Sequence, residues 1–181
     1  SVTVSAPEDP ATTEGTGEYT TRALSLNKFD SPLRSIPQSV SVVTRQQLDD
    51  RNAGTLGEAV GYVTGLRANA TGTGLVNLES RGFLIGNYLM DGLPYKGGQG
   101  MWGSALLDMA LYDRVEVWRG PTGLLEGAGE PSGTINLVRK RPGRSFSGQA
   151  ALMAGSWDAY RGEVDVGGPL NADGTVRGRF M

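Results

Sequence analysis

"RVEVWRGPTGLLEGAGEPSGTINLVRKRP", residues 114–142, sets a glycine- and proline-rich run between two alternating apolar segments. Gly120, Gly123, Gly127, Gly129 and Gly133 fall within it, beside Pro121 and Pro131. A glycine run after a strand is where phosphate-binding loops occur. The spacing rejects that reading. A P-loop needs G-x-x-x-x-G-K followed by Ser or Thr, whereas Gly123 and Gly127 stand one residue too close and no lysine follows. The dinucleotide pattern fails too, because from Gly127 the glycines run G-x-G-x-x-x-G. Glu126 and Glu130 bring negative charge to where a phosphate would sit, and no long helix follows. The glycines therefore serve backbone conformation, joining the strands "RVEVW" (114–118) and "TINLV" (134–138).

The bulk composition narrows the chemistry. The 181 residues carry 17 basic and 19 acidic side chains, so no global field points to nucleic acid. Histidine and cysteine are both absent. That removes thiol chemistry, the usual zinc sites, Ser-His-Asp triads and histidine acid–base work. No stretch approaches the ~20 apolar residues of a spanning helix, and no leader of the charged-then-apolar kind opens the chain. Asp49 with Asp50, and the separated Glu116, Glu126 and Glu130, read as solvated or structural acids. No catalytic constellation forms, and the chain reads as a non-enzyme. The 28 glycines, about twice average usage, are dispersed without a repeat, which suits a body rich in strands and tight turns.

Local signals give the organisation. "SVTVSA" (1–6) is a short alternating run, and residues 7–34, rich in Pro, Thr, Glu, Ser and Gly, read as a flexible, mostly extended leader. A strand begins near Ile36. Thr44 with Gln47, and Thr55 with Glu58, each have capping-box spacing for a short helix. In the second helix Leu56, Ala59, Val60 and Val63 share a face, and Gly65 reads as the stop. "VNLESRG" (76–82) alternates as a strand, and "NYLMDGLPY" (87–95) reads as a hairpin turning at Asp91-Gly92. After Pro142 the pattern changes. Tyr160, Gly162, Val164 and Val166 fall on one strand face, with Arg161, Glu163 and Asp165 on the other. A soluble meander and an outer-membrane barrel wall both alternate by two, so the period leaves both open. The last residue, Met181, falls just inside a third strand, which reads as a truncated barrel.

Five ordered motifs carry a resemblance: "SIPQSVSVVTRQQLDD" (35–50), "TLGEAVGYVTGL" (55–66), "SRGF" (80–83), "YLMDGLPY" (88–95) and residues 112–142. Together they resemble the plug domain of TonB-dependent siderophore receptors. Glu126 departs from the pattern, since the family often has an aromatic residue there. The resemblance implies an α+β plug domain, a mixed β-sheet with short helices, followed by the first antiparallel strands of a β-barrel. It divides the chain into a TonB box and flexible leader (1–34), a plug (35–142) and incomplete transmembrane strands (143–181). It favours the lipid-facing wall for the last segment.

The resemblance further implies a role and its residues. Val2, Thr3, Val4, Ser5 and Ala6 would form the TonB box, captured by β-augmentation in the periplasm by TonB with ExbB and ExbD. Arg81 and Arg119 would lock the plug to barrel glutamates, and Glu116 would be a local partner for one of them. Apical ligand contacts would be Ala70, Thr71, Ile85, Gly86, Asn87, Tyr95, Gln99, Met101 and Trp102. A ferric siderophore already saturates its iron, so no protein metal ligands and no resident cofactor are expected. The location would be the outer membrane of a Gram-negative bacterium. The same architecture could serve vitamin B12, haem or a sugar, or a receptor that also signals.

Overall fold

The computed structural model describes residues 11–21, 23–25, 39–72, 75–95, 107–120 and 131–181. Two compact units divide at Arg139 and Lys140. The first is built on a five-stranded mixed sheet in which β1 (Ser39–Val43), β7 (Tyr112–Arg119), β8 (Gly133–Arg139), β5 (Asn87–Met90) and β6 (Leu93–Pro94) lie side by side in that order. All pairings are antiparallel except that of β5 with β8, which is parallel. A separate antiparallel sheet joins β2 (Leu66–Gly72), β3 (Leu75–Ser80) and β4 (Phe83–Leu84).

Two short helices, α1 (Arg45–Asp50) and α2 (Leu56–Val60), form where the caps are. Thr44 and Thr55 accept from the backbone N–H groups of Gln47 and Glu58, whose side chains return a bond to the cap backbone. Helices this short are marginal by propensity, so the caps and the buried face hold them. Leu56, Ala59, Val60 and Val63 are buried as the spacing requires, although α2 ends at Gly61, earlier than Gly65. Gly65 instead takes φ +85° in the turn before β2.

Strand alternation gives the main sheet two unlike faces. Register sets Val43, Val115, Val117, Ile135, Leu137 and Tyr88 on one face. There they pack with Leu48, Leu56, Val60 and Met109 of the helical layer into the apolar core. The opposite face carries Arg114, Glu116, Trp118, Thr134 and Asn136, all at most 2 % exposed. A buried face this polar has to be satisfied internally.

Asp91 and Gly92, at φ 51° and 81°, make the two-residue turn between β5 and β6 that the sequence signals. Arg81 and Gly82, at φ 53° and 85°, turn β3 into β4 in the same way. Gly133 has φ +126°, and a Cβ there would lie 2.2 Å from the Trp118 carbonyl oxygen. Only glycine fits, which answers for one glycine of the 114–142 stretch.

The second unit is a meander of β9 (Ser147–Ala154), β10 (Tyr160–Pro169) and β11 (Arg177–Phe180). Its register groups Leu152, Ala150, Tyr160, Val164, Val166 and Phe180 on one face. On the other, Asp165 accepts from Arg179 at 2.6 and 2.7 Å and from Lys140 at 3.2 Å. Leu152, Tyr160 and Phe180 are three-quarters or more exposed, so the apolar face is uncovered within this unit.

Candidate functional site

The polar face of the main sheet is organised around β7. Arg114 donates from Nε to Glu116 Oε1 at 2.9 Å and from Nη1 to Asp113 Oδ2 at 2.7 Å. Glu116 is 0 % exposed and Asp113 3 % exposed. Asn136, opposite Glu116 in the ladder, donates from Nδ2 to Glu116 Oε2 at 3.1 Å and to Ser25 Oγ at 2.7 Å. Its Oδ1 accepts from the Gly92 N–H at 3.0 Å. One guanidinium thus serves two carboxylates in a dry setting where an unpaired charge is costly.

The remaining donors come from residues 11–21 and 23–25, the described part of the 7–34 stretch expected as a flexible leader, and these make specific contacts. Thr13 N–H lies 3.1 Å from both Asp113 carboxylate oxygens, Thr13 Oγ1 donates to the Asp113 carbonyl at 3.0 Å, and Glu14 N–H reaches Asp113 Oδ1 at 2.6 Å. Ser25 gives its N–H and its hydroxyl to the two Glu116 oxygens, each at 2.9 Å. Thr13 Oγ1 also accepts from the Arg45 N–H, so the segment caps α1 from outside. Ala11, Thr13, Thr21 and Leu24 are buried. Low hydrophobicity signals disorder only when a segment has nothing to satisfy, and here it satisfies buried acids.

Arg45 shows the same economy. Its guanidinium donates to the Met109 and Tyr112 carbonyls at 2.7 and 2.8 Å and pairs with Asp49, tying α1 to the 3-10 turn (Met109–Leu111) ahead of β7. Burial raises the Tyr112 phenol above its ordinary 10.0. Arg45, Asp113, Arg114, Asn136, Thr13 and Ser25 were not singled out by sequence. The i, i+2 spacing of Arg114 and Glu116 on a strand was the available signal for one pair.

The expected lock residues are not brought together. Glu116 bonds Arg114, Ser25 and Asn136, and neither Arg81 nor Arg119. The reason is alternation: residues 116 and 119 point to opposite faces of β7. Arg119 instead donates to the Thr64 carbonyl and, at 2.7 Å, to Ser41 Oγ, while its buried Nε meets no partner among the described residues. Arg81 is exposed at the β3–β4 turn and has no ion pair among the described residues.

The expected ligand contacts are dispersed. Ile85 is only 5 % exposed and belongs to the apolar core, which removes it from any ligand surface. Gly86 and Asn87 are half-buried at the start of β5, and Tyr95 packs partly against the core. Ala70 and Thr71 lie on β2 at a break in its register with β3. Gln99, Met101, Trp102 and the box residues Val2 to Ala6 fall outside the described residues.

Comparison with known proteins fits this architecture. Residues 32–134 match the model of the TonB-dependent Receptor Plug Domain. The chain is 46 % identical over 173 residues to the Ferric-pyoverdine 358 receptor of Pseudomonas putida, covering 94 % of this chain and 21 % of that one. It is 46 % identical to the Ferripyoverdine receptor of Pseudomonas aeruginosa, covering 93 % and 21 %. The solved pyoverdine outer membrane receptor of that species, bound to pyoverdine, superposes with a TM-score of 0.88 at 43 % identity, covering 94 % of this chain and 26 % of that one. The alcaligin outer membrane receptor of Bordetella pertussis gives 0.81 at 41 %, covering 92 % and 30 %. The chain thus spans about a fifth of the length of the curated relatives it matches. These relatives are transport receptors, not enzymes. By its mixed sheet, its short capped helices and the match over 32–134, the chain belongs to the TonB-dependent receptor plug domain family.

Proposed function

We propose that the chain is the N-terminal, plug-bearing part of a TonB-dependent outer-membrane receptor that imports a ferric siderophore of the pyoverdine class. The family match over 32–134, together with relatives named as ferric-pyoverdine receptors, carries this reading. Residues 1–34 would hold the TonB box at Val2 to Ala6 and its leader, 35–142 the plug, and 143–181 the first barrel strands. The alternating faces of β9 and β10 suit a wall between lipid and a polar lumen.

TonB, with ExbB and ExbD, would engage the box in the periplasm of a Gram-negative bacterium. The ligand would meet Ala70, Thr71, Gly86, Asn87, Tyr95, Gln99, Met101 and Trp102, the set left once buried Ile85 is withdrawn. The chelate brings its iron saturated, so its organic shell is what these residues would touch. Arg119, whose buried Nε has no partner among the described residues, and exposed Arg81 remain candidates for pairing with barrel acids. The test is uptake of radiolabelled ferric pyoverdine by cells whose only pyoverdine receptor is the full-length protein. Uptake that is lost on deleting residues 2–6, with surface binding kept, is the expected result. Absence of both binding and uptake in the intact receptor would overturn the reading.

A further inference from the structure

We infer that residues 11–21 and 23–25 are a clasp whose withdrawal opens the polar face of the main sheet to water. The inference rests on the plug reading above and assigns one step of its opening to named contacts. Beneath the clasp lie two carboxylates, Asp113 and Glu116, against one guanidinium, Arg114, all at most 3 % exposed. The excess negative charge is balanced by dipoles, and apart from the Asn136 amide on Glu116 those belong to the clasp: the N–H groups of Thr13, Glu14 and Ser25 and the hydroxyls of Thr13 and Ser25. Remove them and only water can replace the donors. Arg114 Nη2, buried and without a partner among the described residues, and the Asn136 amide freed from Ser25 stand on the same face to receive that water.

Chain order fixes the sequence of events. Load applied before residue 11 reaches Thr13 first, detaching Asp113 and stripping the Arg45 N–H of its acceptor. Ser25 follows, uncovering Glu116 and Asn136. The apolar core lies on the other face of the sheet and the β7–β8 ladder keeps its own hydrogen bonds, so opening the clasp wets the polar face without unfolding the sheet. A plug built this way has a hydrophilic lining ready before any route exists.

The test uses the full-length receptor. With Ser25→Cys and Asn136→Cys installed, a short bifunctional thiol reagent holds the clasp shut. Binding of ferric pyoverdine should match the unbridged double variant, and uptake should be lost, because a covalent link between the two positions cannot open as the hydrogen bonds it replaces do. Unchanged uptake after bridging overturns the clasp. Hydrogen exchange on the purified receptor gives a second arm, needed if the double variant does not transport or the receptor imports nothing. Ser25→Ala should speed exchange of the 11–25 amides about tenfold while β7 and β8 amides keep their wild-type rates. Equal acceleration of both segments, or unprotected 11–25 amides in the wild type, would sink the proposal. Loss of binding in the wild type, with the exchange result intact, would refute the receptor reading and leave the clasp standing.

Discussion

Replacing Arg114 with Met removes the one cation between two buried carboxylates while keeping the aliphatic volume of its stem. Arg114 is 1 % exposed, and its Nε and Nη1 reach Glu116 and Asp113 at 2.9 and 2.7 Å. Both acids would keep their bonds to residues 11–25, and Glu116 its bond to Asn136, so neither is fully stripped. Breaking one side of a buried pair costs about 3–5 kcal/mol, and partial retention of donors argues for the lower end, about 3 kcal/mol. At 1.4 kcal/mol per tenfold this is an acceleration of roughly a hundredfold in the exchange of β7 and β8 amides that open with the sheet. The assay is hydrogen exchange followed by mass spectrometry on the full-length receptor. Adding Glu116→Gln to Arg114→Met should recover part of the loss, because the second change removes a charge the first left unbalanced. The reasoning is refuted if Arg114→Met changes exchange less than about fivefold, or if the double variant is worse by the full sum of the singles.

Other consequences can be measured in the same protein. Gly133→Ala drives a Cβ to 2.2 Å from the Trp118 carbonyl oxygen, so the β7–β8 register must break; protease sensitivity near 119–133 should rise sharply, and a stable alanine variant would contradict the geometry. Thr55→Ala removes the acceptor for Glu58 N–H and should cost about 1 kcal/mol, read as faster exchange confined to α2. Tyr112, whose phenol burial raises above 10.0, keeps its contribution below pH 10 and loses it as pH rises through its folded value; Tyr112→Phe should flatten that alkaline decline in a pH series of unfolding. Val164→Arg puts a charge on the apolar face of β10 and should cost about 2–4 kcal/mol near a bilayer midplane; normal assembly in the outer membrane would count against the wall reading.

What was legible in the sequence was local. The Thr44/Gln47 and Thr55/Glu58 caps and the Asp91-Gly92 turn each depend on residues within four positions, and all three formed. The alternation of β10 was legible too, since a strand face needs no distant partner to be read. The charge network was not, because Thr13 meets Asp113 100 residues away and Ser25 meets Glu116 91 residues away. A threonine or serine in a polar leader carries no mark of the acid it will satisfy. The Arg114–Glu116 pair rests on strand parity, which sets residues 114 and 116 on one face of β7 and 119 on the other. Ile85, expected among the apical contacts, follows a turn that has already closed at Arg81-Gly82, and so faces the core.

The strand order carries a consequence for biogenesis. β1 lies at the sheet edge against β7, so Val43 waits for Val115, and β5 waits for β8. Among the described residues of the main sheet, β5 and β6 are the pair joined by a tight turn. A chain emerging from a translocation channel N-terminus first would therefore display β1 unpaired until β7 ends at Arg119, and β5 without its parallel partner until β8 is delivered. Sheets closed by such distant contacts form slowly and leave edges open meanwhile. A holding factor that shields extended segments would then matter most for the stretch between Ser39 and Tyr112, and chains cut short of β8 should be the ones most readily degraded.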